Sequence, residues 1–279
     1  MAHVQRLLVL IAACGLLVLP SPPPAVAGSN GVFSVLCDFS HQSFDDPIVF
    51  PGEPGAAHLH QFGGNSTTNA LSTYQDMVGR PTSCPYDKDT AGYWVPALIS
   101  PSGESVTPIR MNAYYRNLPA NHHPVIPYPP DLRLVAGYPT VETGTPKYLG
   151  WSCRDTEIYQ AQPPDCTGVR TLGVKAHIVF PNCWNGYVDS ADHRSHVVYP
   201  WLTRCPASHP VKLPKLSLHI TWPVTDGRGY HLSSDQESGT EPGMSLHADF
   251  WNTWDQVELA RLTAVCLNGQ LECKGIRNG

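Results

Sequence analysis

Apolar and polar positions alternate along short stretches of this chain far more often than they recur at helical spacing. Leu216, Leu218, Ile220 and Trp222 alternate with Ser217, His219 and Thr221, the period of two that marks a strand buried on one face. Residues 93–99, 111–115, 175–180 and 196–199 share its β-branched and aromatic character. Helical spacing is confined to residues 72–78 and to 252–266, where Trp254, Val257, Leu259, Leu262 and Val265 fall three or four apart. The 28 prolines, crowded at 119–130 and 163–164, interrupt long helices and central strands. The pattern predicts a mainly β chain: a single β-sandwich or jelly-roll-like domain over 32–268, with long loops and a short C-terminal helix. Residues 28–31 lead into it, and 269–279, with Cys273, form a C-terminal tail. Two smaller domains divided near 120–147 are the alternative.

The N-terminus changes the picture of the compartment. Arg6 precedes an apolar run over 7–19, Pro20 ends it, and Ala25-Val26-Ala27 before Gly28 reads as a cleavage site. Residues 1–27 are therefore expected to be a secretory signal. Thirteen apolar residues fall short of the roughly 20 that span a bilayer, so no transmembrane span is expected. Ile11-Ala12-Ala13-Cys14 also fits a lipobox, and a lipoprotein anchored at Cys14 is the alternative to plain secretion.

Eight cysteines remain beyond the signal: Cys37, Cys84, Cys153, Cys166, Cys183, Cys205, Cys266 and Cys273. An even number in an exported chain implies disulfides, which staple loops. Of the 105 pairings that eight cysteines allow, the sequence-local Cys153–Cys166 and Cys266–Cys273 are the natural first choices. No C-x-x-C spacing supports a thiolate zinc site.

A net charge of −5, with 15% charged residues, lacks the basic footprint of a nucleic-acid binder. There is no P-loop, no G-x-G-x-x-G and no G-x-S-x-G elbow. A monomer is expected. Seven Trp, 12 Tyr and 7 Phe suit a cleft in which flat rings stack on sugar faces.

Histidine carries the candidate chemistry. His58 and His60 form an H-x-H pair, which an extended strand presents on one face. Asp189, Asp192, His193 and His196 form D-x-x-D-H-x-x-H. On a helical turn its imidazoles share a face; in a loop its carboxylates orient them, and a turn held by Asx hydrogen bonds is the plainer reading. His247 and Asp249 share a face of any extended segment and make a candidate general-base pair. The acidic, Ser- and Gly-rich stretch 233–243 reads as a loop at the rim. His219 reads as a solvated or satisfied strand residue, and His41, His122, His123, His209 and His231 have no evident partner in the sequence.

The blocks D-P-I-V-F-P-G (46–52), H-L-H (58–60), G-Y-W-V-P-A-L (92–98), F-P-N-C-W-N-G (180–186), D-S-A-D-H-R-S-H-V-V-Y-P (189–200), C-P-A-S-H-P-V-K-L-P (205–214) and H-A-D-F-W-N-T-W-D (247–255) resemble a family of exported bacterial and fungal proteins that share a domain of unknown function. The resemblance covers Val32 to Leu267 and implies one domain. It also implies that His58, His60, His193, His196, His247 and Asp249 belong to the family's characteristic blocks, and it brings no activity with it.

Together these features lead to an exported protein that acts on or binds extracellular polysaccharide through a cleft lined by His and Asp. As an enzyme it would be a hydrolase using paired carboxylates or a lyase using a histidine base. The candidate catalytic residues are His58, His60, His193, His196, His247 and Asp249; the candidate substrate contacts are Trp184, Asp189, Asp192, Trp251 and Trp254. The alternatives are a divalent metal, zinc or copper, on His58, His60, His193, His196 and His247, or a non-catalytic glycan-binding surface protein.

Overall fold

Burial of apolar side chains shapes the longest strands of the protein. In the computed structural model, which describes residues 30–118, 123–137, 148–154 and 159–278, Arg110–Asn117 (β7) buries every second residue. The strand expected over 215–222 is found at Lys215–Trp222 (β14). These two pair antiparallel at the centre of a six-stranded sheet. Beyond β7 lie Gly31–Cys37 (β1) and Glu272–Cys273 (β17); beyond β14 lie Val174–Val179 (β10) and Leu149–Ser152 (β9). The β1–β17 pair is parallel and the others are antiparallel.

A second, wholly antiparallel sheet runs in the order Phe39–Ser43 (β2), His60–Gly64 (β3), Gly92–Pro96 (β4), His247–Trp251 (β16) and Arg133–Gly137 (β8). The two sheets meet through aromatic side chains. Tyr115 of β7 stacks on Phe33 of β1 at 4.4 Å between ring centroids and bonds the Tyr93 hydroxyl of β4 at 2.6 Å. Phe250 of β16 lies 6.5 Å from Tyr115 and 5.4 Å from Tyr93. One hydrophobic cluster runs from Phe33 to Leu267 through both sheets, the mainly β, sandwich-like arrangement the alternation predicts.

The far side of the five-stranded sheet is covered as well. There Phe62, Trp94, Val135 and Trp251 pack with Ile48 and with Met77 of the short helix Tyr74–Met77 (α1). Two small sheets complete the strands: Val197–Val198 (β12), Cys183–Trp184 (β11) and Val211–Lys212 (β13); and His231–Leu232 (β15), Leu98–Ile99 (β5) and Ser105–Val106 (β6). A one-turn helix, Asp235–Ser238 (α2), lies in the loop between β15 and β16.

Several boundaries depart from the sequence expectation. The run over 93–99 breaks between β4 and β5, because the Ala97 amide turns to the Leu59 carbonyl at 2.9 Å and the Ser233 hydroxyl at 3.1 Å. The helix expected from 252 begins at Gln256 (α3, Gln256–Leu262), where Asp255 accepts the Glu258 amide as N-cap, and its winding widens to π over Thr263–Asn268. The expected tail is stitched into the fold as β17. Four disulfides join Cys37–Cys84, Cys153–Cys166, Cys183–Cys205 and Cys266–Cys273, including both pairs favoured by spacing. The signal segment and Cys14 lie outside the described residues, as do His122 and much of 120–147. Among the described residues no helix is long and apolar enough to cross a membrane.

Candidate functional site

The far side of the five-stranded sheet carries its chemistry in one corner. His60 opens β3 and His247 opens β16, while His58 arrives from the turn just before β3. Only one imidazole of the H-x-H pair is therefore on a strand, yet the rings sit 4.2 Å apart. The His58 and His247 rings are 4.9 Å apart, and donor atoms of all three histidines lie within 4.8 Å of one another. Gly137 ends β8 opposite His247 at φ +83°; a Cβ there would stand 2.5 Å from the Leu246 carbonyl, so glycine permits the close approach.

Hydrogen bonds orient each ring from outside. His60 Nδ1 donates to the Asp45 carbonyl at 3.0 Å and His247 Nδ1 to the Ser245 carbonyl at 2.7 Å. A carbonyl only accepts, so both Nδ1 atoms carry the proton and both neutral rings present a bare Nε2. His58 Nδ1 faces the Glu237 carboxylate at 3.4 Å, which favours the same tautomer, and its Nε2 lies 3.1 Å from that of His247. Burial lowers the pKa of His58 below the usual imidazole value, against the attraction of Glu237. Burial also holds His60 well below it, helped by the neighbouring imidazoles, and takes His247 to about 3, helped by His58. Burial thus favours the neutral form of all three rings, and His60 and His247 present a bare Nε2. His60 Nε2 has no hydrogen-bond partner among the described residues. Nitrogens on one tetrahedral ion, bonded at about 2.0–2.1 Å, stand roughly 3.3 Å apart, close to the His58–His247 separation.

Asp249 lies two residues from His247 on the same face, 0% exposed, with neither oxygen hydrogen-bonded among the described residues. Its carboxyl pKa is pushed well up, by burial and then by Asp46. Asp46, also buried, is raised by burial, although its Oδ1 accepts the Ile48 and Val49 amides at 3.0 Å. His247 and Asp249 share a face as expected without bonding each other. Arg194 donates to the Gly137 carbonyl and acts electrostatically on both His247 and Asp249.

The D-x-x-D-H-x-x-H segment splits into different roles. His193, at φ +55°, bonds Asp189 through Nδ1 at 3.0 and 3.1 Å, and Arg133 bonds Asp189 at 3.1 Å while stacking on Trp251 at 4.3 Å. His193 acts electrostatically on Asp46. His196 is buried with both ring nitrogens engaged, by the Arg133 carbonyl at 2.6 Å and the Ser190 hydroxyl at 3.0 Å; it fastens the loop to β8. Asp192 accepts from Ser190, Arg194 and Ser195 and builds the turn, as the Asx reading expects.

The tryptophans fall differently from the expectation. Trp251 and Trp254 are each 1% exposed; their indole nitrogens bond Asp131 at 2.7 Å and the Tyr115 hydroxyl at 3.0 Å, so neither ring offers a face to a sugar. Trp184 is half-buried and its nitrogen bonds the Tyr187 carbonyl. Exposed aromatic rings among the described residues include Tyr187, 71% exposed, and Trp201, 80% exposed. Sequence reasoning also missed Asp46, Arg133 and Arg194. Asp46 stands in the quoted D-P-I-V-F-P-G block, but no periodicity ties it to His60. His219 faces His177 across the β14–β10 pair at 4.4 Å, in the other sheet. Cys37, Cys84 and Asp89 also cluster, but the two cysteines are joined and supply no thiolate.

Residues 46–254 match a family model described as Domain of unknown function (DUF1996). No curated protein and no solved structure matches the chain.

Proposed function

This chain belongs to the DUF1996 family, and from that premise we propose that it is an exported metal-dependent protein acting on extracellular polysaccharide. A zinc or copper ion is held by His58, His60 and His247. The observation that carries the reading is the convergence of these rings: carbonyls outside the site hold Nδ1 of His60 and His247, Glu237 lies against Nδ1 of His58, and donor atoms of all three lie within 4.8 Å of one another. Outer partners that fix a ligand's tautomer are the usual companions of a metal-bound imidazole. His58 Nε2 and His247 Nε2 stand 3.1 Å apart, a gap bridged by one proton or by one shared cation.

Such an ion acts as a Lewis acid at a sugar or carboxylate oxygen. Asp189 orients His193 through Nδ1, an arrangement suited to moving a proton to or from a hydroxyl, a water or a carbon acid. The exposed Tyr187 and Trp201 supply faces for sugar rings.

Metal analysis of the purified secreted protein tests the reading. Stoichiometric zinc or copper is expected, and it should be lost in His58→Ala, His247→Ala. A folded protein that takes up neither ion overturns the metal centre. Metal-loaded protein that neither binds nor cleaves any of a panel of neutral and uronate polysaccharides overturns the substrate class.

A further inference from the structure

The three-histidine corner has a neighbour. Asp46, His60 and Asp249 form a second group, all buried, whose donor atoms also lie within 4.8 Å of one another. The Ile48 and Val49 amides, both on Asp46 Oδ1, anchor that carboxylate from its own loop. Asp249 is placed by β16, which pairs on both sides with β4 and β8, so neither carboxylate sits on a freely moving segment.

Both oxygens of Asp249 and Nε2 of His60 are buried without a hydrogen-bond partner among the described residues. An unpaired buried carboxylate is costly, and a second carboxylate beside it raises the cost. A cation between them removes both penalties. Building on the metal reading above, we infer that the centre is binuclear: a second divalent cation sits on Asp46 and Asp249, beside the ion of His58, His60 and His247.

The two groups share only His60, whose one free nitrogen serves one ion at a time. The first site is thus nitrogen-rich and suits zinc or copper, whereas the second is oxygen-rich and suits a harder ion such as Mn²⁺ or Mg²⁺, or a second Zn²⁺. Paired catalytic ions stand about 3.5–4 Å apart, a spacing that groups meeting at one side chain accommodate.

Calorimetric titration of the chelator-treated secreted protein with Zn²⁺ and then Mn²⁺, with elemental analysis after dialysis, counts the ions. Two equivalents are expected for the wild type and one for Asp249→Asn, which preserves the shape of the side chain; Asp46→Asn should behave alike. The His58→Ala, His247→Ala variant should keep the site filled by Mn²⁺. Circular dichroism confirms that each variant is folded. A single equivalent in the wild type overturns the second site: if Asp249→Asn abolishes it, Asp249 is a ligand of the first ion, and if it does not, the carboxylate pair holds no cation. A folded wild type that binds no ion overturns the underlying metal reading as well.

Discussion

His58 and His247 stand 189 residues apart in the chain, and their Nε2 atoms meet at 3.1 Å. Each ring is held from its opposite edge, His58 by Glu237 at 3.4 Å and His247 by the Ser245 carbonyl at 2.7 Å. Glu237 and Ser245 belong to the same loop between β15 and β16. The orientation of two rings from distant segments thus depends on one stretch of backbone.

Glu237 is 64% exposed, so its contact with His58 adds little to stability. Its part is to keep the proton on Nδ1. Glu237→Ala is expected to weaken zinc binding by about 10–100-fold with an unchanged melting temperature, read by competition against a chromophoric chelator. Glu241→Ala, on the same loop, should bind as the wild type does; equal affinities in all three proteins would remove Glu237 from the site.

The loop itself is organised by Asp235. Its carboxylate accepts the Leu232 and Gly243 amides at 2.6 Å each, the Ser245 amide at 3.1 Å and the Ser245 hydroxyl at 2.6 Å. Asp235→Ala leaves these buried donors unpaired and is expected to cost about 3 kcal/mol in urea unfolding. Because Ser245 anchors His247, zinc affinity should fall together with stability, and a loss of stability at constant affinity would separate the two.

Native His247 titrates near 3 and unfolded imidazole near 6.5. Between these values the unfolded chain binds more protons, so the stability this ring contributes is complete above pH 6.5 and is lost as the pH falls toward 3. The raised carboxyls of Asp46 and Asp249 act in the opposite sense, their contribution being complete below the unfolded carboxylate value and lost as the pH rises through the native one. The clean comparison is metal-free wild type against His247→Gln: the wild type should lose more unfolding free energy between pH 7 and pH 5. Parallel pH profiles would contradict the assignment.

Chain-entropy reasoning ranks two of the disulfides. Cys37–Cys84 closes a separation of 47 residues and Cys266–Cys273 one of only 7. Replacing each pair by serine should cost about 4 kcal/mol for the first and about 2.5 kcal/mol for the second. Denaturant unfolding of the two variants measures the difference, and a reversed order would show that native-state contacts outweigh loop closure.

What was legible in the sequence follows from burial. Lys215–Trp222 sets apolar Leu216, Leu218, Ile220 and Trp222 against polar residues on its other side, so its alternation is plain although only Lys215 and His219 are partly exposed. Strand β16 is buried on both faces and reads H-A-D-F-W, a pattern with no polar side to betray its period. Of the site, the three histidines stood out by type and spacing. Asp46 did not, because a loop rather than a periodic element carries it to His60. The tryptophans misled because aromatic residues serve cores and sugar platforms equally well; only exposure separates Trp251 and Trp254 from Trp201.

The short parallel strand β17 has a protective consequence. Strand β1 offers seven residues of backbone, and on the side away from β7 these would form an open row of donors and acceptors. Glu272 and Cys273 cover Val32 and Phe33, Leu271 takes the Val32 amide, and the Ser34 carbonyl accepts from Ile276. The Cys266–Cys273 bond fastens this cover to the end of the π-helical segment. Residues 271–276 thereby deny that edge to another molecule, guarding the sheet against edge-to-edge aggregation.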